Sequence, residues 1–450
     1  MTSPKPIQPL FWKAVIPTAA VLLFTLGCLV ARNLMVFQLA TMYTLAYAGF
    51  VFTVGAIYYR PRANSGEEQL PDDELPMVSI LIPAHNEENV IGHTISHMLR
   101  LDYPRFEVIV IDDHSSDRTS QIVRQYPVEL VMRRNLPNRG KSEALNTGLE
   151  VARGDIICVF DADSEVSPDF LRRAVAPLVN DPEVCGVQAQ VRMYNRRQNL
   201  LTQMQDDEFA LYNEILQVGR EVLGGAAALG GNGQLTRRSA LKAVGGWSPS
   251  SLTEDLDLTM RLFLAGRGRI AHTSAAVVWQ EGVPTFKALL RQRTRWAEGM
   301  LRCFGDYAFA VLASKEMPGK LRIDAFYALF SVFMPIMSVA GVLFTTLALV
   351  PGFFTHVLPY GIGQEISAAL LVAGFVWSAT VSLKRDRTID LWPGLRYMVY
   401  ILHWAPALAC ALNNVLRDMP VVWEKTEHLG QDLVGVGLPH RAPTAELANP

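Results

Sequence analysis

The chain is apolar at both ends and ordinary in the middle, and this uneven distribution limits its possible folds more than any single motif does. Ala14 to Ala31 carries no charge, and neither does Leu34 to Tyr59. Each is close to the roughly 20 residues that cross a ~30 Å hydrocarbon core as helix. Two early membrane spans are therefore expected. They are followed by YYRPR, with Arg60 and Arg62, and the positive-inside bias then puts the next segment in the cytoplasm. Phe326 to Val350 and Ile366 to Leu383 read as two further spans, and Lys384 to Arg387 (KRDR) again marks a cytosolic turn. Leu391 to Leu416 holds Pro393, Arg396, His403 and Pro406, so it either spans with a bend or dips in and returns. The side of the tail depends on which.

Pro76 to Glu281, about 205 residues, has the mixed, charged composition of one globular domain. The expected organisation is two membrane helices in 1–62, a soluble domain in 76–283, an interfacial segment in 284–315, a C-terminal membrane region in 320–416 and a tail in 417–450. The expected location is the inner membrane, multi-pass, with the soluble domain in the cytoplasm. A formal charge of −2 removes the basic surface that nucleic-acid binding rests on. The five cysteines are scattered, with no CxxC or Cys/His spacing, so neither a disulfide framework nor a zinc site is indicated.

Within the soluble segment, Met77–Ala84, Phe106–Asp113, Val128–Met132 and Asp155–Asp163 are short β-branched runs, and the gaps between them carry helical patterns. This βαβα alternation predicts an α/β fold with a mainly parallel sheet covered on both faces. Ligands of such sheets bind outside the carboxyl ends of the strands. The polar motifs fall there: PAHNEE after the first strand, DDHSSD after the second, DAD after the fourth.

Glu87, Asp112, Asp113, Asp161 and Asp163 thus crowd one sheet edge, and a divalent ion at the Asp-x-Asp pair, with two phosphates, would relieve their repulsion. Helix capping by Asp113 and Ser116 explains DDHSSD equally well. Gly140 and Lys141 open a helix, a place suited to anions, although a solvated lysine fits as readily. Gly230 to Gly233 forms a turn through which backbone approaches a ligand closely. Thr253 is an expected helix cap, with Glu254 and Asp255 in the first turn. Further on, QRTRW, Gln292 to Trp296, places two arginines beside a tryptophan on a helix that should bury Leu289, Leu290, Met300 and Leu301.

The ordered set PAHNE, DD, DAD, Gly-Asn-Gly, TED and QRTRW resembles the membrane-embedded family 2 glycosyltransferases, the group of cellulose, chitin, hyaluronan and poly-N-acetylglucosamine synthases. The resemblance covers about residues 77 to 300. It implies a GT-A (Rossmann-like) domain inserted between transmembrane helices, a UDP-sugar donor, inversion at the anomeric carbon, and Mg2+ or Mn2+ as cofactor. It places Pro83, His85, Glu87, Asp113, Lys141, Asp161, Gln292, Arg293 and Arg295 on the donor. Asp163 and Asp161 are implied metal ligands, Asp255 the catalytic base, and Trp296, Glu254, Gly231 and Asn232 the acceptor contacts. Guanidinium forks suit phosphate oxygens, and an indole gives a sugar's C–H face an apolar platform.

The leading expectation is a processive polysaccharide synthase using UDP-N-acetylglucosamine or UDP-glucose. Its rivals are a lipid glycosyltransferase that transfers one or a few sugars and a catalytically silent membrane subunit. About five apolar segments are few for an export path, which leaves room for a homodimer or an accessory subunit.

Overall fold

The computed structural model describes residues 10–36, 50–58 apart from 52 and 56, 70–134, 140–333, 350–356 and 400–417, with isolated positions at 340, 343 and 347. Eight strands form one sheet: β1 (Val78–Ala84), β2 (Phe106–Asp112), β3 (Glu129–Met132), β4 (Ile156–Val159), β5 (Glu165–Val166), β6 (Val184–Met193), β7 (Gln234–Arg237) and β8 (Arg269–Gln280). Their order is β3-β2-β1-β4-β7-β6-β8-β5. The first four are those the β-branched runs predict, and they pair in parallel. β7 joins antiparallel to both β4 and β6, and β5 antiparallel to β8. The sheet is therefore mixed rather than mainly parallel, because residues 194–233, which leave β6 at Met193 and enter β7 at Gln234, begin and end at the same edge of the sheet.

Register brings the motifs to one edge. Ala84 pairs Asp112 and Leu81 pairs Val159, so the segments after β1, β2 and β4 leave the sheet together. Gln234, at the start of antiparallel β7, lies opposite Val159, which adds the glycine turn to the same edge. β6 and β8 are parallel and end in register at Met193 and Gln280. Six connections therefore meet at one rim.

Period-two alternation sends Ile80 and Ile82 to one face, with Ile95 and Phe170, and Leu81 to the other, with Ile109 and Leu145. The helices are α1 (Leu10–Val30), α2 (Ile91–Met98), α3 (Thr119–Val123), α4 (Lys141–Val151), α5 (Phe170–Asn180), α6 (Leu200–Phe209), α7 (Gln217–Val222), α8 (Arg238–Ala243), α9 (Glu254–Leu264), α10 (Phe286–Ala313), α11 (Gly319–Phe330) and α12 (Trp404–Leu416). A π-helical turn, Ala210–Leu216, links α6 to α7.

The QRTRW segment lies within α10, whose 28 residues follow the capping Thr285, its side chain accepting from the Ala288 amide. α11 and α12 pack on α10 and extend the core through Phe304, Ala325, Phe333, Leu408 and Ala411. α9 starts where the TED motif predicts, but Thr253 makes no side-chain cap; its hydroxyl lies 3.6 Å from Cys303 Sγ.

Among the described residues, no helix is long and apolar enough to cross a membrane, so insertion between transmembrane helices has no support there. Leu34–Tyr59 and Phe326–Val350 are described only in part, Leu391–Leu416 only from 400 onward, and Ile366–Leu383 and 418–450 lie outside the described residues. The described start of the Phe326 run packs into protein: Phe326, Phe330 and Phe333 surround Phe304, with ring centroids 5.0–6.4 Å away.

Candidate active site

A cavity of about 570 Å3 opens at the rim where the strand ends meet. Pro83, His85, Glu87, Asp113, Lys141, Asp161, Asp163, Gly231, Glu254, Asp255, Gln292, Arg295 and Trp296 all line it. The rim thus gathers most residues singled out by the motifs. Of those assigned a donor, acceptor, metal or catalytic role, two are not on its wall.

The first is Arg293, expected on the donor. It is fully buried, donates to Glu208 Oε2 at 2.5 Å, and lies 4.0 Å over the Trp296 ring. The reason is helical phase: Leu289, Arg293, Ala297 and Leu301 follow at intervals of four and are all buried, whereas Gln292, Arg295 and Trp296 share the cavity face. The second is Asn232, expected on the acceptor. It is buried, accepting from the Ser164 hydroxyl at 2.9 Å and donating to Gln280 Oε1 at 2.9 Å. It braces the DAD loop. Glu254 reaches the cavity, but its carboxylate is engaged 3.1 Å from Lys141 Nζ.

Charges in the rim are arranged in pairs and surpluses. Lys141 Nζ donates to Asp161 Oδ1 at 2.6 Å. Burial would lower the lysine's pKa, yet Asp161, Glu254 and Asp255 raise it above its ordinary value and keep it charged. Burial, and then Glu254 beside it, push the Asp255 carboxyl well above the usual carboxylate range, with Lys141 pulling the other way. Arg295 stands in the field of Glu254, Asp161 and Asp255. Asp113 is held by the buried Arg133, which donates to its Oδ1, while the Asp113 carbonyl lies 2.6 Å from His85 Nδ1.

The acidic surplus gathers around Asp163. Its Oδ2 accepts the Glu281 amide at 2.7 Å, and burial together with Asp163 pushes Glu165 up to about 7. Glu281 lies beside Tyr194, whose hydroxyl is 3.4 Å from its carboxylate. Asp163 and Asp161, which offer only oxygen donors at the cavity, fit a hard divalent cation such as Mg2+ or Mn2+.

Gly231 forms the floor beneath Asp255, with φ +78; a Cβ there would stand 3.3 Å from Asp255 Oδ2 and 3.4 Å from Lys141 Nζ. Gly231→Ala is therefore expected to cost about 1–2 kcal/mol of backbone strain and to lower kcat several-fold by displacing Asp255. A melting curve and a turnover assay on the same preparation check both.

Sequence reasoning did not find Arg133, Glu208, Arg220 or Glu281, the last three of which line the cavity. Arg133 follows β3 directly and Glu281 follows β8, so each had a strand-end position as a signal. Glu208 and Arg220 stand in helical segments with no motif around them.

The cavity has two characters. Its lining combines charged groups from the strand ends and helices with the aliphatic Leu211, Leu216, Val332, Ile401, Leu402 and Leu408. This fold and site define a glycosyltransferase of the GT-A type. A model of glycosyltransferase-like family 2 matches residues 76–299. The chain is 34% identical over 390 residues to a beta-monoglucosyldiacylglycerol synthase of Trichormus variabilis, covering 84% of this chain and 82% of that one. It is also 29% identical over 283 residues to a poly-beta-1,6-N-acetyl-D-glucosamine synthase of Staphylococcus aureus, covering 60% and 67%. A mannosyltransferase from Pyrobaculum calidifontis, solved with GDP-Man and Mn2+, shares the fold with a TM-score of 0.56 and 21% identity, over 91% of this chain and 99% of that one. The chain belongs to glycosyltransferase family 2, and it is a hexosyltransferase.

Proposed function

We propose that this enzyme transfers a single hexose from a UDP-sugar to the hydroxyl of a membrane lipid of the diacylglycerol kind, with inversion at the anomeric carbon. The observation that carries this reading is the set of aliphatic side chains lining the same cavity as the charged groups. A growing glycan is polar and asks for hydroxyl-binding walls; an acyl chain asks for leucine, isoleucine and valine. The Trichormus relative, named for glucosyl transfer to diacylglycerol, matches over most of both chains and supports the same acceptor class. The polymer expected at first is the competing reading, supported by the staphylococcal relative.

Asp255 takes the proton of the acceptor hydroxyl as that oxygen attacks C1 of the donor. Lys141 and Arg295 face the departing diphosphate, and Asp163 with Asp161 would hold a Mg2+ or Mn2+ ion, which supplies further positive charge to the leaving group when bound. Trp296 borders the acceptor side with Phe209 and Trp404 at ring-centroid distances of 6.2 and 6.5 Å. The membrane is the source of the acceptor, and Phe309, 83% exposed on α10, with the exposed Leu22, Leu23 and Leu26 of α1, offers apolar surface to it. The soluble domain is read as cytoplasmic, where nucleotide sugars are available.

The test uses the purified full chain in lipid vesicles with Mn2+ and, separately, UDP-glucose, UDP-N-acetylglucosamine and UDP-galactose. The expected result is UDP release that depends on diacylglycerol, with one sugar on the lipid product. Long glycosidase-sensitive product formed without added lipid would overturn the reading in favour of a polymer synthase.

A further inference from the structure

Two histidines on the helix after β1 have no part in the chemistry above. His93 and His97 stand four apart on α2 and so share a face. That face lies on Glu165, two residues beyond Asp163. One ligand atom from each of His93, His97 and Glu165 can be chosen so that all three lie within 4.8 Å of one another. His93 Nδ1 is 3.4 Å from Glu165 Oε1, close to the edge, ~3.3 Å, of a tetrahedron with bonds of ~2.0 Å.

The second ring is already oriented. His97 Nδ1 lies 3.0 Å from the Val166 carbonyl, so this nitrogen carries the proton and donates, and Nε2 keeps its lone pair. Such a bond on the far nitrogen is how metal-ligating histidines are commonly held. Between them, Thr94 donates its hydroxyl to the Ala162 carbonyl at 2.7 Å, fixing α2 against the DAD segment. The His97 and Glu165 side chains are buried, while His93 is 32% exposed, which leaves a path for an ion from solvent.

We propose that His93, His97 and Glu165 form a binding site for a transition-metal dication of the Zn2+ class, separate from the oxygen-only corner at Asp161 and Asp163. Two imidazoles and one carboxylate select zinc-like ions over Mg2+, which prefers oxygen ligands and its own waters. A bound ion pins α2 to β5, which directly follows the loop carrying Asp161 and Asp163. The loop that leads into α2 holds His85 and Glu87, so the ion braces two sides of the donor pocket without touching the donor.

The test uses the full chain in detergent or lipid, stripped with a chelator and titrated with Co2+ and then Zn2+, with no nucleotide present. The expected result is one equivalent of Co2+ with a visible band characteristic of nitrogen ligation, displaced by Zn2+ and not by excess Mg2+. Asp163→Asn should leave the band in place. His93→Gln and His97→Gln should each weaken binding by at least ~10-fold. Thermal unfolding guards against misfolded variants: in chelator, His93→Gln should melt with the wild type, and Zn2+ should raise only the wild-type midpoint. The site is overturned if no such band appears, if it persists in both histidine variants, or if Asp163→Asn alone abolishes it.

Discussion

Asp255→Asn is expected to lower sugar transfer by roughly 100- to 10,000-fold, the range for removing a positioned general base, while the Kd for UDP stays within about threefold. The side chain keeps its size and its bond from the Leu256 amide to Oδ1, 2.8 Å in the wild type, so the pocket should remain formed. What is lost is the oxygen that accepts the hydroxyl proton. Equilibrium UDP binding and single-turnover transfer separate the two effects, and transfer at the wild-type rate would remove Asp255 from the base role.

The same carboxyl sets an acid limb. Burial and Glu254 raise its pKa, and a base works only when deprotonated, so turnover should fall as pH drops through an apparent pKa well above the ~4 of an ordinary carboxylate. The shift also makes Asp255 a stronger base than a solvated aspartate. Because Glu254 and Asp255 are neighbours, the measured value belongs to the pair. Glu254→Gln removes the like charge and should move the limb to lower pH. An acid limb left in place would mean that burial alone raises Asp255.

The sequence shows much of this rim because each of its pieces is local. β1, β2 and β4 are runs of Val and Ile that end abruptly in carboxylates, and period-two burial with acids at the stop is readable without tertiary knowledge. β6 and β8 are the longest strands, yet neither stands out: Gln188 and Gln190 interrupt one and His272 the other, all three buried. Gln188 explains why. It accepts from the Gly230 amide at 2.7 Å and donates to the Asn232 carbonyl at 2.9 Å, so a partner more than 40 residues away satisfies what looks in sequence like a surface polar residue. Arg133 and Glu208 were hidden for the same reason, since each matters through a partner brought by the fold. Arg293 differs from its expected place for another reason. The charge of QRTRW carries no phase, whereas the four-residue stripe from Leu289 to Leu301 assigns Arg293 to the interior.

That interior position makes Arg293 the site of the largest expected stability effect. Its guanidinium donates to Glu208 Oε2 at 2.5 Å, and Glu208 also accepts from the Tyr400 hydroxyl and from Trp404 Nε1, each at 2.9 Å. Burial would raise the Glu208 pKa, but Arg293 and these donors bring it below the usual value, so the carboxylate stays ionised between α6, α10 and α12. Arg293→Ala strips the main counter-charge from an anion only 12% exposed and one covering from Trp296. Breaking a buried pair from one side costs about 3–5 kcal/mol. The expected result is a melting midpoint lowered by several degrees. The pair itself need not be worth that much, because the cost is that of the stranded charge. Arg293→Met with Glu208→Gln, which removes both charges and keeps much of the volume, should therefore recover most of the midpoint while leaving transfer impaired, since Trp296 loses the cation that lies 4.0 Å over its ring. If the double variant recovers activity along with stability, Arg293 serves folding alone and the orientation of Trp296 does not depend on it.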